Sequence, residues 1–255
     1  MSQEEWDEAI RRSHRAFKVL TVIGYMLGGL WLLATIYHIT LLKHIVSKIS
    51  LVMPWLIFGF GFMNRGTIKF DAPRSDPYPT LVSTIAPILL VFIGGFLQHT
   101  LLSYAPAWIP AALTSVLVAL CVVLVDPQAI SYSRVDKRDM SLTKAGMNLF
   151  VLLIFAFMLS FGWIIESDVA LDQSPVSWHT TSVQNKHISR GKFTTYSITV
   201  PAWDAKEKIY NLDVGAATYH KLEVGAAIRL CVKEGFLGIP WMADIVPDTG
   251  TSTEL

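Results

Sequence analysis

Histidines, cysteines and carboxylates are where this chain could do chemistry, and they are sparse. His38 and His99, with Gln98 beside the second, stand toward the ends of long apolar runs. Imidazole titrates nearest to neutrality, so the two rings on one face of a membrane would make a proton or ligand site. Interfacial histidines hydrogen-bonded to backbone or water are the plainer reading. Asn148 is the remaining strongly polar group of these runs. Near the C-terminal end come His179, His187, His220, Cys231, Asp213 and Glu223. No two have the close spacing of a metal motif, so ligands would have to converge from separate strands.

Cys231 falls between Arg229 and Lys233 on the more polar side of an alternating run. Cations there would favour a thiolate, whereas an inert buried cysteine is the simpler alternative. There is no Gly-x-Ser-x-Gly, no P-loop and no Gly-x-Gly-x-x-Gly after a strand. The expectation is therefore no catalytic, cofactor-binding or metal residue and no cofactor. His38, His99, Cys231 and His220 are left as possible interaction or polar sites.

The elements that must position these groups are mostly apolar. Of 255 residues, 52% are hydrophobic and only 16% charged, too greasy for an ordinary soluble domain. Five stretches lack Asp, Glu, Lys and Arg altogether: 19–42, 49–63, 80–102, 108–125 and 145–165. A helix needs about 20 apolar residues to cross a hydrocarbon core. The second stretch, at roughly 22 Å, is short unless it begins near His44 and Lys48 reaches back to the headgroups.

The basic residues resolve that weakness. With five spans, one side receives Arg11, Arg12, Arg15, Lys18, Arg65, Lys69, Arg74, Arg134, Lys137, Arg138 and Lys144. The short loops of the other side receive Lys43 and Lys48. The positive-inside rule then puts the N-terminus in the cytoplasm and the C-terminal region outside it. "SQEE" at the start has capping-box spacing, so residues 1–18 are expected as a cytoplasmic amphipathic helix whose arginines rest on anionic headgroups. The apolar run behind it reads as a retained anchor.

Small residues mark close helix approach: Gly24 and Gly28 form a GxxxG, and Gly94 and Gly95 sit deep in the third span. Past residue 165 the chain turns polar, and Glu166 and Asp168 are expected at the water interface, opening a linker over 166–175. Residues 176–248 then alternate with period two at Tyr196–Val200, Tyr210–Val214 and Ile228–Val232, with weaker strands at Thr181–Ile188 and Trp241–Val246. The breakers "SRGK", "PAWDAKE", "EVGA" and "EGFLGIP" separate them. Residues 249–255 read as a disordered tail.

The fold class expected is a five-span α-helical membrane protein, with the spans in 19–165, carrying a small C-terminal all-β domain of OB or SH3-like size. It belongs in a bacterial-type inner (plasma) membrane with the β-domain periplasmic. With no catalytic machinery, the expected role is non-catalytic. The expected partners are the bilayer and another membrane or periplasmic protein, with self-association as a further possibility and nucleic acid excluded by the tail's balanced charge. Two alternatives stand beside it: an oligomeric channel or small-solute transporter, and a periplasmic thiol- or metal-dependent enzyme built on Cys231 and the tail histidines.

Overall fold

The computed structural model describes residues 2–70, 78–127, 129, 142–190, 194–203 and 209–248. Arg74, Arg134, Lys137, Arg138, residues 191–193 and residues 249–255 lie outside them, as do the side chains of Lys144 and Asn148. The chain divides into two compact units: residues 1–96 with 107–170, and residues 97–106 with 171–255.

The first unit holds five helices, α1 (Gln3–Ile36), α2 (Thr40–Met63), α3 (Leu81–Gln98), α4 (Ala105–Val125) and α5 (Leu142–Ala170). Each contains an apolar stretch long enough to cross a membrane. Ser2 and Glu5 close the capping box that starts α1, with the Glu5 amide donating to Ser2 Oγ at 3.2 Å. From there α1 runs unbroken for 34 residues, about 51 Å at helical rise. It carries Arg11, Arg12, Arg15 and Lys18 exposed on its first half. That half is fastened by Ser13, whose hydroxyl lies 2.7 Å from Thr67 Oγ1 in the loop after α2. The second helix begins at Thr40, well before the charge-free run, and so takes in Lys43, His44 and Lys48 to reach 24 residues.

Helix contacts follow small residues and aromatic rings. A Cβ placed on Gly24 or Gly28 would meet Pro87 of α3 at 3.4 and 3.2 Å, so α1 and α3 approach there almost backbone to backbone. Gly162 does the same for α5 against Phe92. Trp163 meets Trp55 edge-on at 5.6 Å and donates its indole N–H to the Leu51 carbonyl at 2.9 Å, which joins α5 to α2. At the other end of the helices Asp126 accepts from the Phe70 amide at 2.9 Å, tying the end of α4 to the loop before α3.

The second unit is antiparallel sheet. Its strands are β1 (Thr100–Leu101), β2 (Ser177–Ser182), β3 (Asn185–Arg190), β4 (Thr194–Pro201), β5 (Ile209–Val214), β6 (Ala227–Lys233) and β7 (Trp241–Pro247). A short helix, α6 (Ala216–Lys221), follows β5. One sheet runs β1-β7-β6-β2 and the other β3-β4-β5. Inward residues of both, Ile198, Val200, Leu212, Ile228 and Leu230, form one core in which each is at most 1% exposed. Gly225 (φ +86°) and Gly238 (φ +78°) occupy the turns that flank β6, where a left-handed backbone favours glycine.

Two features differ from the sequence expectation. The strand expected over 181–188 is two strands, β2 and β3, one in each sheet. The sheets also do not close into a barrel: β1, drawn from the connection between α3 and α4, is the outer strand beside β7, and an open seam separates β7 from β5.

Candidate functional site

The residues singled out from sequence are divided between the two units. His38 is exposed in the turn after α1 with φ +55°, and belongs to the first unit. His99 belongs to the second unit, where its half-buried ring meets Trp241 at 5.9 Å. His220 is exposed on α6 against Tyr196 and Tyr219. His179 stacks on Trp203 at 4.7 Å, and His187 sits across from Ser197 in the other sheet. Among the described residues no three histidines, cysteines or carboxylates are grouped to hold a metal ion.

Cys231 is buried, 6% exposed, although it alternates with Ile228, Leu230 and Val232, which form the core; the register with β7 shifts between Cys231 and Val232. Burial pushes its thiol up, and Asp244 opposite adds to the shift against the opposing pull of Lys233 and a backbone hydrogen bond. The direction is the reverse of what its two cationic neighbours in sequence imply. A protonated, buried thiol is a poor nucleophile.

Two places do bring chemistry together. The first lies in the helical unit, where Glu166 and Asp168 are 2% and 0% exposed. They do not stand at the start of a linker, because α5 continues to Ala170 and carries both inside the helix. The Glu166 carboxylate occupies the space that a Cβ on Gly95 would fill, and the Trp31 ring does the same over Gly94. The paired glycines of α3 thus admit an acid from one neighbouring helix and an indole from another. Lys43, in the first turns of α2, places its ammonium 5.6 Å from the centre of the Trp31 ring and interacts electrostatically with Glu166. Four helices therefore meet at a lysine–glutamate pair beside an aromatic face. Such charges within apolar helices are costly and mark function more often than stability.

The second place is the seam of the β-unit. Thr100 and Leu101 pair with Met242 and Trp241, and the Leu102 amide donates to the Pro240 carbonyl at 2.9 Å. Thr100 Oγ1 also donates to the Asp213 carbonyl of β5 at 3.1 Å, so β1 touches both sides of the seam. Beyond Thr100 the seam opens into a cleft of about 380 Å³ containing Asp213 and Asp244. Tyr104 stands by: burial and then the charge of Asp213 push its phenol up, which keeps it a hydrogen-bond donor.

The same unit is fixed by Asp172, whose side chain is 1% exposed. Burial disfavours its charge, yet hydrogen bonds from Ser174 and Trp241 and the Lys233 ammonium outweigh that and hold the carboxyl below its ordinary value. The Ser174 amide lies at 2.7 Å, Trp241 Nε1 at 3.0 Å and Lys233 Nζ at 3.5 Å. Neither this network, the Glu166–Lys43 pair nor β1 was foreseen from sequence. The one local hint was the Gly94-Gly95 doublet, which left room for something large. Compared with known proteins, the chain matches no family model, no curated protein and no solved structure.

Proposed function

We propose that this is a non-catalytic multi-pass protein of the bacterial inner membrane whose β-unit, on the periplasmic side, binds another membrane or envelope protein. An assembly or accessory subunit, a sensor and an immunity-type protector all share that action. The observation that carries the reading is the make-up of the β-unit from two separate stretches of chain, 97–106 and 171–255. It is joined to the helical unit at three points of the backbone instead of one. A domain so tethered has little reach, and its targets are molecules that come to the membrane surface. The exposed Arg11, Arg12, Arg15 and Lys18 on the first half of α1, and Arg65 after α2, support a cytoplasmic N-terminus.

The test is photo-crosslinking in intact cells from Trp178 and Phe236, which are 51% and 59% exposed on the β-unit. A specific heterologous membrane or envelope protein at either position supports the proposal. Recovery of this chain alone, or of nothing, defeats it.

A second reading, passage of protons or a small solute through an oligomer, draws on the buried Glu166 and Asp168 and the half-buried Lys43. Purified protein in liposomes loaded with a pH-sensitive dye separates the two. A flux abolished by Glu166→Gln favours transport, and an absence of flux removes it.

A further inference from the structure

We infer that the seam between β5 and β7 is a strand-addition site, and that its occupant is an extended, basic segment of the partner polypeptide. The inference rests on the partner-binding proposal and names where and what that partner touches.

The geometry begins with β1. It pairs with the outer edge of β7 only at Trp241 and Met242, because the chain N-terminal to Thr100 is already helical at Gln98. Among the described residues no strand pairs with the outer edge of β7 from Ala243 onward, or with that of β5 along its length. Since Thr100 bonds to strands on both sides, the seam there is one strand wide. The cleft of about 380 Å³ continues the same track, past Ala243, Asp244 and Ile245 on one wall and Asp213 and Val214 on the other. Three residues of extended chain, about 10 Å, would run along that wall.

The break in pairing is built into β7. Cys231 faces Asp244 while Val232 faces Met242, so Ala243 is the extra residue of a bulge. Bulges end pairing and turn a strand edge, and this one falls where β1 stops and the cleft begins. Open strand edges are templates for added strands, and natural sheets usually cover or charge them. Here the charges are of one sign: among the described residues Asp213 and Asp244 line the cleft, and no lysine, arginine or histidine does. An added segment carrying lysine or arginine would be complementary, and one carrying glutamate would be repelled.

Full-length protein in nanodiscs of neutral lipid is titrated with a fluorescent hexapeptide of alternating valine and lysine, followed by anisotropy. Three comparisons accompany it: a valine–glutamate peptide, a backbone N-methylated valine–lysine peptide, and the Asp213→Asn/Asp244→Asn double variant. The expected result is saturable binding of the lysine peptide, weakened at least tenfold in each comparison. Equal binding of the N-methylated peptide means simple adsorption of charge and overturns strand addition. Equal binding of the glutamate peptide, unchanged binding by the double variant, or no binding of the lysine peptide also overturns it. A heterologous protein captured from Trp178 or Phe236 alongside any of these failures leaves the partner-binding proposal standing and removes only the seam as its site.

Discussion

Replacing Asp172 by asparagine should loosen the β-unit without disturbing the helices. One carboxylate oxygen, Oδ1, accepts from the Ser174 amide, and the other, Oδ2, from Trp241 Nε1 with Lys233 Nζ alongside. An asparagine keeps a single acceptor. If its oxygen serves Ser174, its NH₂ group is turned toward an indole N–H and an ammonium; if it flips, the Ser174 amide meets a donor instead. A hydrogen bond to a charged group contributes about 1.5–3 kcal/mol, and a buried donor left unmet costs a further 1–3 kcal/mol. Lys233 is partly exposed, which discounts its share, and a total loss of roughly 2–4 kcal/mol follows. The buried Cys231 is a built-in reporter, since its thiol reacts only when the unit opens. At about 1.4 kcal/mol per tenfold, labelling of Cys231 should accelerate about 30-fold to just under a thousandfold. Cys121, on α4, should keep its own rate and serves as the control when both sites are followed by mass spectrometry. Acceleration of less than about threefold at Cys231, or equal acceleration at both thiols, would refute the assignment of Asp172 as the clasp of this unit.

The same carboxyl sets a pH dependence. Because its folded value lies below the ordinary 3.8, the stability it contributes is complete above about pH 4 and is lost as pH falls through the lowered value. Near-UV circular dichroism of wild type should show the β-unit weakening in that acid range, and Asp172→Asn should flatten this dependence. In the helical unit, Gly162→Ala should lower the melting temperature in detergent, with a cost of about 1–3 kcal/mol, because the new Cβ would come within 2.8 Å of Phe92 Cβ. Gly59→Ala, with nothing within 4 Å, should leave it unchanged. With both native cysteines replaced by serine, Thr100→Cys and Met242→Cys should form a disulfide on mild oxidation, detected by mobility before and after reduction. Failure of that crosslink in folded protein would remove β1 from the sheet.

What could be read from sequence was whatever has a local period. Tyr196–Val200, Tyr210–Val214 and Ile228–Val232 alternate, and each lies in a strand at the place the alternation gives. Apolar length likewise located all five long helices. What could not be read depends on partners distant in the chain. A charge-free criterion stops α2 short of Lys43 and ends α5 before Glu166, because a single residue in isolation cannot reveal that it will be neutralised. Here Lys43 interacts electrostatically with Glu166 and lies over the Trp31 ring, and the Glu166 carboxylate fills the gap at Gly95. The burial of Cys231 was not legible either: it alternates with the core residues Ile228, Leu230 and Val232, and the register shift against β7 beside it is a property of the pairing that no residue of β6 announces. Two residues, Thr100 and Leu101, have no period at all, and become a strand only because Met242 and Trp241 lie beside them.

That last pairing bears on how the chain threads a bilayer. Residues 100 and 242 can share a sheet only if they stand in one aqueous compartment. In a chain whose apolar helices cross the membrane, an even number of crossings must separate them, so α4 and α5 both cross or neither does. At 21 and 29 residues, both are longer than the roughly 20 that a crossing requires. At 24 residues or about 36 Å, α2 is likewise long enough for a crossing without thinning of the membrane. Under the orientation proposed above, Arg11, Arg12, Arg15, Lys18 and Arg65, all exposed, fall on the cytoplasmic side, as the usual bias of basic residues favours.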